Sequence, residues 1–486
     1  MLVFGAYGMC ISCTDDSSSS HNGIPVNDAD SDGVADERDN CPEVKNPAQG
    51  DANQNGFGDA CETRAFAPEF TVLKADTANI TSGHTLFSVV GGENVFLDPA
   101  WQEFGFLATL PLLPSTAESP TIAPDWVFAD FNGAEFNIVD VLSNGHILAI
   151  RGADGGKTMV EIDPVTAMTV RQFTDREYSH DVMVLPDGNY LAIWAETIPY
   201  PESIPETLQF EHVGVVDAEG NTLWDWNLYE QVPDAPASEQ YVTLAGLWSN
   251  CNAVDFKPAD DWQSGTPLRG NVYLNARVQN RLYNISYPSG DILWIMGDDG
   301  DFGENLFHHP HDAQIVADPG ANSLPGVTRI LLYDNREAPV LGNATACPAD
   351  ETCPLGIEAY SRLLEIEVDE TARTARIVWK WPSPTSPDFS EYALYSPIAG
   401  GIDQLPDGHL LITHATVGGN PFLPGVVPHG RLMEIQRDGT LTGATVLWDV
   451  VFSESYGTFK AIRLPEGSTD SWTSLPLAVG NTPPSD

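Results

Sequence analysis

Two short phrases recur along this chain, and they limit its fold more than any other feature. The first runs Leu-x-x-Gly-x-x-Leu with Asn or Asp before the Gly, at residues 142–148, 185–191 and 405–411. The second carries a Gly turn into a strand that ends in Trp, at 217–224 and 287–294, again from Arg437 and Gly439 to Trp448, and more weakly before Trp379. Asn-Gly and Asp-Gly supply the positive φ angles that tight hairpins need, and a Trp closing the next strand is suited to packing between neighbouring sheets. From about Phe66 onward short apolar runs alternate with Gly, Pro, Asn and Asp, with no sustained 3.6-residue period, so the chain reads as all-β. A hairpin pair that repeats in this way predicts a β-propeller, and six blades are favoured over five or seven. A pair of β-sandwiches is the competing architecture.

Charge decides which partners to set aside. The chain carries 69 acidic and 22 basic residues, a formal net charge of −47. Nucleic acid and anionic membrane surfaces are recognised with Lys and Arg, so both are excluded as partners. Outside the Asp-rich stretch from Asp28 to Asp59 the acidity is read as solubility. The cysteines fall as Cys10 and Cys13, Cys41 and Cys61, a lone Cys251, and Cys347 and Cys353. The second and last pairs lie in loop-like sequence rich in Pro, Asn and Asp, which fits disulfides in an oxidising compartment and hence an exported protein. Cys251 reads as a small buried hydrophobe. Residues 1–13 read as a signal or lipoprotein-like remnant with Cys13 as a lipid-attachment site, and 14–27 as a Ser-rich linker. No run of about 18 apolar residues follows that could span a bilayer.

Between 28 and 62 oxygen-bearing side chains stand at alternate positions around turning glycines, the donor pattern a hard cation with 6–8 oxygen ligands requires. The flanking helices of an EF-hand are missing. The stretch resembles the thrombospondin type 3 repeat, a disulfide-tied Ca²⁺-binding module. That resemblance implies Asp28, Asp30, Asp32, Asp36 and Asp39 as ligands of one ion, Asp51, Asn53, Asn55 and Asp59 as ligands of another, and Cys41 joined to Cys61. The propeller is then expected over 66–480.

Ligands of propellers bind where inner strands and their loops converge, so site residues should come from separated points of the sequence. Such points are Tyr178 to Asp181 with His180, Leu247 to Phe256 with Asn250 and Asn252, Tyr273 to Asn280 with Arg277, and Phe307 to Asp312, which holds His308, His309 and His311. Residues 330–336 (Ile-Leu-Leu-Tyr-Asp-Asn-Arg), 360–362 (Tyr-Ser-Arg) and 395–397 (Tyr-Ser-Pro) follow in order. Over roughly 130–465 this ordered set resembles the bacterial arylsulfotransferases. Membership implies a six-bladed propeller of the periplasm or cell envelope. It also implies transfer of a sulfuryl group from a phenolic sulfate ester to a phenol, through a sulfated histidine and without a nucleotide donor. His311 matches the nucleophile, His180 a second active-site histidine, Arg277 the sulfate-holding arginine and Asn252 an active-site asparagine. Where the family has a histidine two residues before that asparagine, this chain has Asn250.

The chemistry is sound for these residue types. A neutral imidazole is a nucleophile near neutral pH, a guanidinium matches the spread charge of a sulfuryl group, and a second imidazole can serve the phenol oxygens. Asn250 donates hydrogen bonds but does not titrate. Sulfuryl transfer is expected to need no metal, Ca²⁺ being structural. The alternative function is a catalytically inactive propeller used for calcium-dependent surface adhesion or ligand binding.

Overall fold

The computed structural model describes parts of 28–49 and, further on, residues 70–91, 105–113, 120–130, 135–153, 156–166, 168–235, 241–303, 305–316, 326–336, 360–386, 388–417, 429–452, 456–469 and 478–480, with a few single positions between. Six sheets form the six blades of a β-propeller. Blades 1 to 4 each take four consecutive strands, spanning 135–173, 177–227, 251–297 and 311–381. Blade 5 takes four strands over 401–452 and is widened on its outer edge by Phe70–Ala75 and Thr121–Ile122. Blade 6 joins the two ends of the domain, because Ala461–Leu464 pairs antiparallel with His84–Gly91, whose sheet continues through Gly105–Leu110 and Trp126–Asp130. Pairing strands from distant parts of the chain in one sheet closes the ring.

The two repeated phrases are the first and third hairpins of the blades. Residues 142–148, 185–191 and 405–411 turn the innermost strand into the second, and the Trp phrases turn the third strand into the fourth. Their tryptophans do join neighbouring sheets, and in blade 2 both Trp224 and Trp226 reach blade 3. Trp224 is half-buried and packs edge-on against Tyr287. The indole N–H of Trp226 donates to the Gly290 carbonyl of blade 3 at 2.9 Å, that of Trp379 to Gly443 of blade 5 at 3.3 Å, and that of Trp448 to Leu112 near blade 6 at 2.9 Å.

A second ring of ties lies at the centre. The Asp181 carboxylate of blade 2 accepts the main-chain N–H of Val254 in blade 3 at 3.0 Å, and Asp255 of blade 3 accepts that of Ile315 in blade 4 at 2.6 Å. Asp312 of blade 4 accepts that of Ile402 in blade 5 at 2.7 Å, and Asp403 of blade 5 that of Arg463 in blade 6 at 3.4 Å. The close approach leaves no room at Gly401, where a Cβ would stand 2.8 Å from Asp312 Oδ2. Lys460 pairs with Asp312 at 3.2 Å, and its charge also acts on Asp140, Asp181, Asp255 and Asp403. An ammonium group felt by carboxylates of five blades has to lie near the propeller axis. These aspartates are therefore structural, which corrects their reading as general surface acidity.

Burial pushes Asp181, Asp255 and Asp403 up to about 6, with Lys460 and main-chain donors opposing the shift. A carboxyl raised in the folded state contributes stability that is fully present below the ordinary value of 3.8 and is lost as pH rises through about 6. Replacing all three by Asn keeps an acceptor oxygen for each tie and removes the titration. The difference in melting temperature between wild type and this triple variant should change between pH 4 and 7, in favour of the variant as pH rises. Parallel curves would contradict this account of the central carboxylates.

Candidate active site

Three of the residues singled out from sequence lie at the starts of three adjacent inner strands, and a fourth, Arg277, lies on a turn beside them. His180 belongs to Glu177–Val184, Asn252 to Cys251–Pro258 and His311 to His311–Ile315. Arg277 directly follows Gly270–Ala276 and opens the turn of blade 3's second hairpin; it does not lie within a strand, as its apolar surroundings imply. Each of the three inner strands is irregular at the point in question, the pairing register shifting between Tyr178 and Val182, Cys251 and Ala253, and His311 and Gln314. Such bulges re-aim side chains. Positive φ angles at His180 (49°), Asn250 (46°), His309 (51°), Asp312 (50°) and Ala399 (56°) gather at the same place, a conformation non-glycine residues adopt at some cost.

Arg277 is the electrostatic centre. It is buried, donates from Nη2 to the Tyr241 hydroxyl at 2.8 Å and lies over the Tyr241 ring, its central carbon 5.0 Å from the ring centroid. Tyr241 in turn packs against His309, ring centroids 5.7 Å apart. Burial and the positive charges of Lys157 and Arg277 pull His180 down to about 3. Burial, Arg277 and His308 do the same to His309. His311 is held well below its ordinary value by burial and then by Arg277, against the hydrogen bond its Nδ1 makes to Asn335 Oδ1. The three imidazoles and Arg277 therefore form one electrostatically coupled group, and the imidazoles are neutral at physiological pH. His308 is half-buried, its main-chain N–H bound to Asp334.

Asn252 works through the loop that carries His311. Its Nδ2 donates to the Pro310 carbonyl at 3.1 Å, and Asn275 donates both to that carbonyl at 2.6 Å and to Asn252 Oδ1 at 2.5 Å. Asn250 is half-buried, and its carbonyl accepts the Arg277 main-chain N–H at 3.3 Å. Glu211, fully buried, accepts the Cys251 N–H at 3.1 Å and the Ser249 hydroxyl, so one carboxylate fixes the turn on which Asn250 sits. Cys251 is buried with a free thiol, as expected. On the other side His311 Nδ1 meets Asn335 Oδ1 at 2.6 Å, and the main-chain N–H of Ala399 donates to Nε2 at 3.2 Å. Tyr241, Asn275, Asn335, Glu211 and Ala399 were given no role by sequence reasoning. Tyr241 lies outside the repeated phrases and carries no signal; Asn335 stood in a polar triplet after an apolar run, which marks a strand leaving the core.

Of the ligands expected for the first cation, Asp28, Asp36 and Asp39 lie among the described residues. Asp28 Oδ2 accepts the Gly33 N–H at 3.1 Å, Asp36 Oδ1 the Ala29 N–H at 2.8 Å, and Asp39 Oδ1 the Cys41 N–H at 2.8 Å. Their carboxylates are turned back onto one short loop, and an all-oxygen donor set fits a hard cation. Cys41 is disulfide-bonded. Asp30, Asp32, Asp51, Asn53, Asn55, Asp59, Cys61, Cys13, Cys347 and Cys353 lie outside the described residues. Among the described residues one further group has the spacing of metal ligands, Asp407, His409 and Glu434. Glu434 is already paired with Arg463 at 3.1 Å, and the same imidazole–carboxylate contact recurs as His146 with Glu161 in blade 1, so it is a contact that builds blades.

Fold and site together define a six-bladed propeller with a buried guanidinium among neutral imidazoles at one end of its inner strands. The chain belongs to the arylsulfotransferase (ASST) family, whose model matches residues 128–446, and a thrombospondin type 3 repeat matches 26–49. No curated protein matches by sequence. Similar solved structures include a protein of unknown function from Bacteroides caccae, 14% identical over 75% of this chain and 94% of its own, with a TM-score of 0.37. Another is a hypothetical selenium-binding protein from Sulfolobus tokodaii, 11% identical over 79% and 94%, with a TM-score of 0.40. Among the described residues no helix is long and apolar enough to cross a membrane.

The electrostatics give a direct check. In proton NMR, His180, His309 and His311 should show no titration between pH 5 and 8. His212 should titrate above the ordinary value, because hydrogen bonds and charge from Asp225 and Glu196 outweigh the effect of its burial. A His311 midpoint near 6.5 would contradict the description of the site.

Proposed function

We propose that this protein is an exported aryl-sulfate sulfotransferase that moves a sulfuryl group from a phenolic sulfate ester to a phenol in two steps, with His311 as the nucleophile. The observation that carries this reading is a neutral His311 with its Nδ1 engaged by Asn335, standing in the field of the buried Arg277. In the first half-reaction the Nε2 lone pair forms a bond to sulfur while the bond from sulfur to the aryl oxygen breaks, and that electron pair leaves on the phenolate. In the second, an incoming phenol gives up its proton, its oxygen attacks sulfur, and the N–S bonding pair returns to Nε2. The proton lost by the second phenol balances the one gained by the first phenolate. We assign the hydrogen bond to both phenol oxygens to His180.

Arg277 supplies a fixed cation for the charge that spreads over the sulfuryl oxygens in the transition state, and Tyr241 holds its plane. A bound sulfate ester cancels part of the Arg277 field, which raises His180 from its depressed value and makes it a better proton carrier in the loaded site. Asn252 and Asn275 set the Pro310 carbonyl and with it the approach of His311. At Asn250 the chain has an amide in place of a second titratable group, so we infer slow turnover.

Turnover of a chromogenic aryl sulfate with a phenol acceptor tests these roles. His311→Ala should abolish it, Arg277→Lys should lower it by about 10²-fold, and Asn250→His should raise it by up to about 10²-fold. Asn250 also favours a second reading, a propeller that binds its ligand without transferring a group. Silence of wild type and Asn250→His alike would decide for the binder.

We propose further that the 28–62 module holds Ca²⁺ structurally, with Asp28, Asp36 and Asp39 among its ligands and without part in the transfer. The disulfide at Cys41 supports an exported location. Ca²⁺ should protect this segment from limited proteolysis, and equal cleavage with and without chelator would reject the assignment.

A further inference from the structure

We propose that Asn335 is a positioning residue that makes His311 a one-ended nucleophile: it keeps the ring proton on Nδ1, leaves the lone pair on Nε2, and works with the main-chain N–H of Ala399, which receives the sulfuryl group. The consequence for transfer rests on the sulfotransferase reading; the hydrogen-bond assignment does not.

Two contacts fix the same tautomer. Asn335 Nδ2 lies 2.8 Å from the Ser396 carbonyl and 2.7 Å from the Ala399 carbonyl. Turning the amide over would set its oxygen against two carbonyl oxygens, so Oδ1 is the atom that faces His311. An amide oxygen only accepts, and at 2.6 Å from it Nδ1 has to carry the proton. At the other end of the ring the Ala399 N–H, which only donates, lies 3.2 Å from Nε2, so that nitrogen has to be bare.

Asn335 is locked in turn. It is fully buried, and its carbonyl accepts from the Ser361 hydroxyl at 3.1 Å. Ser361 Oγ also bonds the Ser396 carbonyl at 3.0 Å and accepts the Ser396 N–H at 2.9 Å. Thr416 of blade 5 completes the chain, its N–H donating to Ser396 Oγ at 3.0 Å and its hydroxyl to the Ile398 carbonyl at 3.2 Å. This network spans blades 4 and 5 and holds Ala399 at a φ of 56°, a conformation costly enough to persist only where its surroundings demand it.

The choice of a neutral amide has a chemical effect. A carboxylate at this position would raise the basicity of the ring and stabilise its cationic form, and a more basic nitrogen is a poorer leaving group when the N–S bond must break. With Asn335 the ring stays weakly basic, which favours release of the sulfuryl group to the acceptor. When Nε2 bonds to sulfur its lone pair is used, and the Ala399 N–H loses its acceptor. A sulfuryl oxygen carried on that same nitrogen is the nearest replacement, so the donor that caps the resting nucleophile becomes an oxyanion donor in the intermediate.

Nitrogen-15 NMR of histidine-labelled protein, recorded without substrate, tests the tautomer. Wild type should show His311 as the Nδ1–H form. Asn335→Leu should mix the two tautomers, and Asn335→Asp, nearly isosteric, should keep Nδ1–H while moving the ring's titration upward into the pH 5–8 range. In rapid-mixing kinetics with a chromogenic aryl sulfate, Asn335→Asp should retain the burst of donor phenol and slow delivery to the acceptor by about 10-fold for each unit of added basicity. An Nε2–H tautomer in wild type would overturn the proposal. So would an Asn335→Asp variant whose titration and half-reaction rates both match wild type. If no variant turns over the ester, the sulfotransferase reading fails, and the tautomer spectrum still decides the role of Asn335.

Discussion

The hydrogen bonds that run from an inner-strand aspartate to the main chain of the next blade are the interaction on which the rest depends. Each blade of a propeller is a self-sufficient sheet, and apolar packing alone lets neighbouring sheets slide. A carboxylate that must reach one particular N–H does not permit that freedom. Asp181 to Val254, Asp255 to Ile315, and Asp312 to Ile402 set the relative height of blades 2 to 5. Those are the blades that carry His180, Asn252, Arg277, His311 and the loop with Ala399. In blades 2 and 4 the tie and the candidate site residue are adjacent, His180 with Asp181 and His311 with Asp312, so a register error would displace the candidate site as well. Lys460 makes so many central carboxylates tolerable, being their shared counter-charge, while burial keeps several partly protonated.

At the site, burial decides in the opposite sense. The imidazoles lose water and face Arg277, and both effects favour the neutral form. A protein of net charge −47 thus holds a buried guanidinium among neutral imidazoles. Under the proposed function, the long-range field opposes an approaching sulfate ester and the buried guanidinium attracts it. Screening by salt weakens the first far more than the second, so the buried placement of Arg277 would make the proposed anion binding compatible with so acidic a surface.

The fold was legible because its information is local. Asn-Gly and Asp-Gly at 144–145, 187–188 and 407–408 demand hairpins wherever they stand, and the Trp phrases mark the outer strands. His180, Asn252, Arg277 and His311 could be read from ordered motifs. Tyr241 and Glu211 stand outside those motifs, and Asn275 and Asn335 stand inside them with no sign of a role, since their importance lies in contacts across tens of residues, as in Asn275 to Pro310 and Asn335 to His311. The inner-strand aspartates were hidden for a different reason: in so acidic a chain one more Asp carries no signal, and only the closed ring shows that Asp255 meets Ile315. Trp224 and Trp226 differ by two positions on one strand, so pattern alone does not separate them; the indole of Trp226 is the one that reaches Gly290.

The central claim is that His311 itself carries the transferred group. The most direct measurement mixes the protein with an aryl sulfate in the absence of any phenol acceptor, quenches it, and maps the adduct by tandem mass spectrometry. The account predicts one sulfuryl group per chain on the peptide containing His311, removed on addition of a phenol and missing in His311→Ala. Release of the donor phenol with every histidine unmodified, or an adduct on another residue, would contradict it.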